Sequence, residues 1–455
     1  MTAELLPRAQ APVETMTRLR ALAGNAPWPS HVLAGAVPFL FLHATYQPSL
    51  SLGLGSTSVD ATLADAAIAC VVAAALVRAR RDGAGPLADA RWLLVLTTSF
   101  VLLGALSLAT PSLLGEDYDL APHAVSVAKF AWYALLLPAT ALLVRSSAEA
   151  MPLARAVTAW SVAATGFGLL QFLGLVAEFE GKRPGQREPS FVGIHDFAAL
   201  SGAALAVGAI GFALAGNGRP AGRRLSLVAL ASGSLGVILS GAMTAVLGVW
   251  LAVAAILLGV RAARRLRLDR ALALAGVVVL VAAGTAVMRA ETIGRFAEFL
   301  GIRDRVEETG IESYAHRTLL AYIGGRIWLD NPVTGVGWQA SSEEWAYAPY
   351  LDDARDRFPD EPAQAFPAPE RPWGIQLLYL QAAADLGVAG VALLLGLAAA
   401  AVTAGIRGVR RSPVALLGLG WLSVAAGVWS GIGLVSGLPL GALTWIALGL
   451  VIVRD

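Results

Sequence analysis

The amino-acid sequence predicts an all-α polytopic membrane protein with about 12 transmembrane helices and one large extracytoplasmic loop between helices 9 and 10. The first observation is composition. The chain of 455 residues is 56% hydrophobic and 15% charged, with a mean hydropathy of +0.65. That is more apolar surface than one soluble core buries, so the bilayer must serve as its solvent. The second is spacing. Runs near the length a spanning helix needs recur at 29–47, 59–79, 92–110, 123–145, 153–177, 192–215, 224–240, 243–261, 270–288, 374–404, 413–431 and 434–453. The third is the Arg bias of the short connections.

The basic connections are Arg78, Arg80, Arg81 and Arg91; Arg219, Arg223 and Arg224; Arg261, Arg264, Arg265, Arg267 and Arg270; and Arg407, Arg410 and Arg411. All fall on one side when the spans are counted off, and that side is expected to be cytoplasmic, with both termini. The chain then divides into a cytoplasmic segment 1–28, transmembrane helices 1–9 over 29–288, an outer loop 289–371, and helices 10–12 over 372–455. Arg8, Arg18 and Arg20 precede the first run, but no small-residue cleavage site follows, so this run reads as a helix and not a removed signal. The turn at Ser240 and Gly241 is the shortest of the connections. Many runs are rich in Ala and Gly, which lets helix backbones approach closely in lipid.

Several function classes are excluded. Net charge is +2 and the arginines sit in short clusters, so no nucleic-acid partner is expected. Cys70 is the single cysteine and lies in an apolar run; with no CxxC or His/Cys cluster, neither a metal nor a disulfide within the chain is expected. No cofactor is implied.

The outer loop carries Trp328, Trp338, Trp345, Tyr314, Tyr347 and Tyr350 among charged residues, a mix that predicts an ordered segment. Leu319, Leu320, Ile323, Ile327 and Trp328 recur at helical spacing, Asn331 and Pro332 end that helix, and Gly335 and Gly337 permit a tight path. The Pro-rich stretch DEPAQAFPAPERP returns the chain to the membrane irregularly at Trp373.

The stretch AHRTLLAYIGGRIWLDNPVTGVGWQAS resembles a region of the bacterial O-antigen ligase and O-antigen polymerase (Wzy-type) superfamily: an Arg, a Trp-containing helix, Asp-x-Pro, then Gly-Val-Gly. LLYLQAAADLGVAGVALLL from Leu377 is similar to the helix after the family's outer loop. GFGLLQFLGL, EPSFVGIHDFAALSGAALAVG and ILSGAMTAVLGVWLAVAAILL resemble three further family segments in order, so the likeness spans roughly residues 155–400. The resemblance implies a GT-C-like, metal-independent glycosyltransferase in the bacterial cytoplasmic membrane. It would take a lipid-linked oligosaccharide from undecaprenyl diphosphate and transfer it to a glycan or lipid-glycan acceptor. Membrane lipids and chain-length or export proteins would be its other partners. Polymerase and ligase share these motifs and are not distinguished.

Such a transfer needs cations on the leaving diphosphate and, usually, a base for the acceptor hydroxyl. Arg317 matches the family's loop Arg; its competing role is an ion pair with Glu312 or Asp330. Arg183 and Arg187 are candidates for a second clamp, their alternative a positive loop beside headgroups. Arg326, Gln376, Tyr379 and Gln381 complete the candidate binding set, with Asp330 expected to cap a turn or pair with an Arg. The base is where the chain departs from the family. Gln376 stands where ligase-like members carry His, and glutamine cannot act as a base; Met243 stands where the family's Ser-Gly-Ser-Arg helix has Arg. Either the base has moved, with His316, His195, Asp196 and Glu370 as candidates, or catalysis is altered or lost and the chain is a scaffold in an assembly complex. A secondary transporter is the reading from another class, but the halves show no similarity and the long loop follows span nine instead of the midpoint.

Overall fold

The computed structural model describes residues 28–54, 57–214, 220–263, 266–302, 313–434 and 437–454. Residues 1–27, Arg219, Arg264, Arg265 and the stretch 303–312 with Glu312 lie outside the described residues, and so do the expectations placed on them.

The described chain is helical apart from one hairpin. Its main elements are α1 (Trp28–Leu40), β1 (Ser49–Leu54), β2 (Thr57–Thr62), α2 (Leu63–Asp82), α3 (Arg91–Ser107), α4 (Leu120–Ala134), α5 (Leu136–Leu143), α6 (Ser147–Phe172), α7 (Ile194–Leu214), α8 (Pro220–Ser240), α9 (Met243–Ala262), α10 (Leu268–Met288), α11 (Ala290–Phe299), α12 (Ser313–Asp330), α13 (Leu378–Val409), α14 (Pro413–Trp429) and α15 (Leu438–Leu450). Among the described residues, seven stretches are long and apolar enough to cross a membrane: α4 with α5, α6, α7, α8, α9, α10 and α13. Helices α3, α14 and α15 are shorter and apolar. The protein is therefore an all-α, membrane-embedded chain.

One difference from the sequence reading lies at the first connection. A span was expected to run to residue 47 and the next to begin at 59, yet α1 ends at Leu40 and a hairpin fills 49–62. The reason is a period-2 pattern within that stretch: Leu50 and Leu52 pair with Ala61 and Val59 and share one face. Helix α2 then starts at a capping box, with Thr62 Oγ1 accepting from the Asp65 amide and the Asp65 carboxylate accepting from Thr62.

Helix α7 is the centre of the bundle: 83% of its most apolar stretch is buried, against 22% for α10 and for α13. Small residues make this possible. A Cβ on Gly233 would come within 2.6 Å of the Ser201 carbonyl oxygen in α7, and one on Gly427 within 2.4 Å of the Gly248 Cα where α14 crosses α9.

The two ends of the bundle differ in kind. At one end, the buried Arg78 donates to Glu149 Oε1 at 2.7 Å and to the Leu143 carbonyl, Arg145 donates to the carbonyls of Asp82 and Gly83, and Arg454 pairs with Asp89. These three cations have partners. The other end gathers the hairpin, the loop 173–193, the α8–α9 turn and α12.

The long segment after α10 folds around its own apolar cluster, in which Leu319, Leu320, Ile323 and Ile327 of α12 meet Tyr347, Phe366 and Ile375. It is locked to the bundle at a break in α13. Gly387 has φ 63 and ψ −160, so the helix is interrupted and its backbone groups are free. The turn Pro332–Gly337 takes them: Val336 N donates to Ala384 O, Gly337 N to Asp385 O, and Val388 N to Pro332 O. The buried Asp385 carboxylate accepts from the amides of Gln339 and Ser341 and from Gln381 Nε2. Trp338 is fully buried among membrane helices, with its indole N–H on Ser126 Oγ, so it anchors the turn and does not face a ligand. Gly335 sits at φ 64, and a Cβ there would lie 2.3 Å from the Asp385 carbonyl carbon. Gly335→Ala is expected to undock the turn, which limited proteolysis in detergent will register as faster cleavage within 313–371, with α7–α9 unaffected.

Candidate functional site

The gathered end of the bundle is built loop by loop. Between α6 and α7 the chain folds back through two non-glycine residues in the left-handed region, Glu180 at φ 50 and Ser190 at φ 57. Ser190 Oγ donates to Ala164 O, and Glu188 N donates to Leu239 O at 2.8 Å. This seats Arg187 on the α8–α9 turn, where a Cβ on Gly241 would meet Arg187 Cβ at 2.9 Å and Arg289 Cδ at 3.3 Å. Arg289 closes α10, and its guanidinium lies 5.5 Å from the centre of the Tyr314 ring. Arg317, near the start of α12, donates from Nε to Gln376 Oε1 at 3.1 Å and places Nη2 3.4 Å from His195 Nε2. A guanidinium only donates, so His195 Nε2 accepts and the neutral ring carries its proton on Nδ1, which is buried without a partner.

Three guanidiniums thus converge with Lys182 beside them. Burial, then Arg289 and Arg317, push the Arg187 guanidinium down to about 10, with partial relief from Tyr314 and Glu180. Burial, then Arg187 and Arg289, also lower Lys182. Among the described residues, neither Arg187 nor Arg289 forms an ion pair with a carboxylate. Like charges held together in a low-dielectric setting are unfavourable unless an anion joins them. The arrangement suits phosphate oxygens, which guanidinium forks hold in a bidentate manner.

A cavity of about 600 Å³ adjoins this cluster. Phe100, Phe130, Leu394, Leu397, Trp429 and Trp445 make most of its wall apolar, while His43, Lys129, Glu180, His195, Asp196 and Gln339 are among its polar lining. His195 is therefore shared by the cavity and the cations.

Of the residues singled out in the sequence, Arg187, Arg317, His195 and Gln376 are brought together. Gln376 accepts from Arg317, a positioning role that needs no ionisation. The others lie elsewhere or have structural partners. Asp196 Oδ1 accepts from Leu440 N at 3.1 Å and so caps α15. His316 packs edge-on against Trp373 at 5.1 Å, and burial, then Arg317, lowers its basicity. Glu370 pairs with Arg371, its neighbour in sequence. Arg183 is exposed, and Lys182 joins the cations in its place. Arg326 pairs with Asp353 at 3.4 Å, nine residues along α12 from Arg317, about 13 Å by the helical rise. Tyr379 donates to Ala426 O. Gln381 joins the Asp385 network and accepts from Leu434 N. Asp330 corrects an expectation: it accepts from the Tyr350 hydroxyl at 2.8 Å, not from an Arg.

Four functional candidates were not picked out in the sequence: Arg289, Lys182, Glu180 and Glu188. The signal for Arg289 was present, since it ends an apolar run. The proximity of 241 and 289 was not readable. Glu188 is buried, with Oε1 unpartnered, and burial, then Glu178, pushes its carboxyl up to about 7 against Lys182. Its folded value lies above the 4.5 of a free carboxyl, so its protonated form stabilises the fold. That contribution is complete below about 4.5 and is lost as pH rises through about 7. Thermal unfolding of wild type and Glu188→Gln is expected to diverge across that window, with wild type losing stability relative to the variant toward pH 8.

No family model matches this chain, and no curated protein matches it closely enough to count as a relative.

Proposed function

We propose that this protein transfers or polymerises a glycan carried on undecaprenyl diphosphate, of the O-antigen, capsule or exopolysaccharide type, at the outer face of a bacterial cytoplasmic membrane. The observation that carries the reading is the convergence of Arg187, Arg289 and Arg317 on His195 beside a largely apolar cavity. Arg187 and Arg289, neither ion-paired with a described carboxylate, suit a diphosphate, and an apolar wall next to them suits a lipid chain. The motif resemblance and the charge bias of the short connections point the same way, with about 12 spans, the 289–371 segment outside and both termini cytoplasmic.

In this reading the arginines hold the diphosphate and take up the charge that develops as the glycosidic C–O bond to phosphate breaks. Gln376 fixes the Arg317 fork. Arg289 stands in for the cation absent at Met243, because it reaches the same α8–α9 turn from the end of α10.

Loss of the gene is expected to shorten or abolish a surface polysaccharide while lipid-linked repeat units accumulate; an unchanged glycan profile overturns the proposal. Arg317→Ala and Arg289→Ala should each weaken binding of an undecaprenyl-diphosphate glycan by about 10- to 100-fold, the loss of one charge-assisted contact. A second reading, a non-catalytic scaffold in an envelope assembly complex, is favoured by Gln376 and Met243. It predicts that Arg317→Ala leaves glycan output unchanged.

A further inference from the structure

The cation cluster accounts for a leaving group but not for the acceptor's proton. His195 already accepts from Arg317, His316 is packed against Trp373, Asp196 caps α15, and Glu370 pairs with Arg371. One carboxylate differs from these. Glu180 lines the cavity, and electrostatically it faces both Arg187 and Lys182, so it lies between the apolar chamber and the cations.

Its setting is specific. Glu180 adopts φ 50, a region that costs a non-glycine residue energy and is held only where surrounding structure over-determines it. Oε1 lies 3.8 Å from His43 Nε2, and Oε2 accepts from Ile194 N at 3.4 Å, at the head of α7. His43 is itself oriented: its Nδ1 accepts from Thr45 N, so Nε2 carries the ring proton and points it at the carboxylate. Phe179 packs edge-on to the His43 ring at 4.9 Å. Gly193 completes the arrangement, since a Cβ there would come within 3.1 Å of Glu180 Oε1 and 3.2 Å of His43 Cδ2. A side chain at that position would push the pair apart.

We propose, resting on the glycan-transfer reading, that Glu180 is the base that deprotonates the acceptor hydroxyl, with His43 as its positioning residue. The acceptor oxygen bonds to the anomeric carbon of the donor sugar, and its proton passes to the Glu180 carboxylate. The bond from the anomeric carbon to the phosphate oxygen breaks, and its electron pair leaves with undecaprenyl diphosphate, held by the arginines. The base that the sequence lacks at Gln376 is thereby supplied from the α6–α7 loop.

The test uses the full-length protein in detergent and the lipid-linked repeat unit extracted from cells lacking the gene. Glu180→Gln keeps an acceptor for Ile194 N, so the α7 cap survives. It is expected to bind donor as wild type does, to lose about 10²- to 10³-fold in single-turnover transfer to a hydroxyl acceptor, and to form glycosyl azide when azide, which has no proton to give up, replaces the acceptor. His43→Ala should lower the rate without changing donor affinity, and should have no further effect in the Glu180→Gln background. Transfer by Glu180→Gln within about threefold of wild type overturns the assignment, since a general base contributes far more. Loss with azide as well as with hydroxyl also overturns it, because the defect then lies outside proton removal. If wild-type protein transfers nothing from this donor, the glycan-transfer reading fails first, and that result is distinguishable from either outcome with the variant.

Discussion

Docking of the Pro332–Gly337 turn into the break in α13 is the contact on which the site depends. An α-helix interrupted inside an apolar bundle leaves backbone groups that lipid cannot satisfy. Here the turn satisfies them, through Val336 N on Ala384 O, Gly337 N on Asp385 O, and Val388 N on Pro332 O. Asp385 closes the arrangement by accepting from Gln339, Ser341 and Gln381. Because α12 ends at Asp330, just before this turn, its position is set from that end, and Arg317 near its start is carried to His195 and Gln376. Without the docking, Arg317 belongs to a loop and not to a site.

The same chain treats its cations in two ways, and the contrast separates structure from function. At the basic end, Arg78 is buried against Glu149 and also satisfies the Leu143 carbonyl, which is how a buried charge is normally tolerated. At the opposite end, Arg187 and Arg289 converge with no ion pair to a described carboxylate, although Glu180 and Glu188 are nearby. Those carboxylates instead face Lys182, the head of α7 and the cavity. Arg187 and Arg289 are thus left without a described carboxylate partner next to a cavity that Glu180 and His195 line.

Much of the architecture was legible, because helix periodicity, apolar run length and Arg bias are local properties of the sequence. The Leu319 to Ile327 face, the end of α12 at Asn331 and the tight path at Gly335 and Gly337 all follow from spacing and turn chemistry. The hairpin at 49–62 was obscured because a short period-2 pattern sits between two apolar runs and was absorbed into them. Site residues were harder. Arg317 and Arg187 were visible as arginines in the longer connections, whereas nothing local marks Lys182, and not Arg183, as the residue that joins them. Tyr379, Gln381 and Arg326 carry the right chemistry but face α14, the α13 break and Asp353.

The sequence by itself determined a membrane-embedded helical protein, the location of its long segment, and the residue types from which a cation site is made. Each rests on neighbours within one helical turn or one run. Which charges meet was decided only by the tertiary structure. Arg187, Arg289 and Arg317 lie on three separate segments, and the Gly241 turn, the α13 break and the left-handed Glu180 bring them to one end of the bundle. Those contacts join residues distant in sequence, 122 positions apart for His195 and Arg317. No local pattern encodes such a distance. The turn after α12 docks on the break in α13, and α12 brings Arg317 to His195 and Gln376.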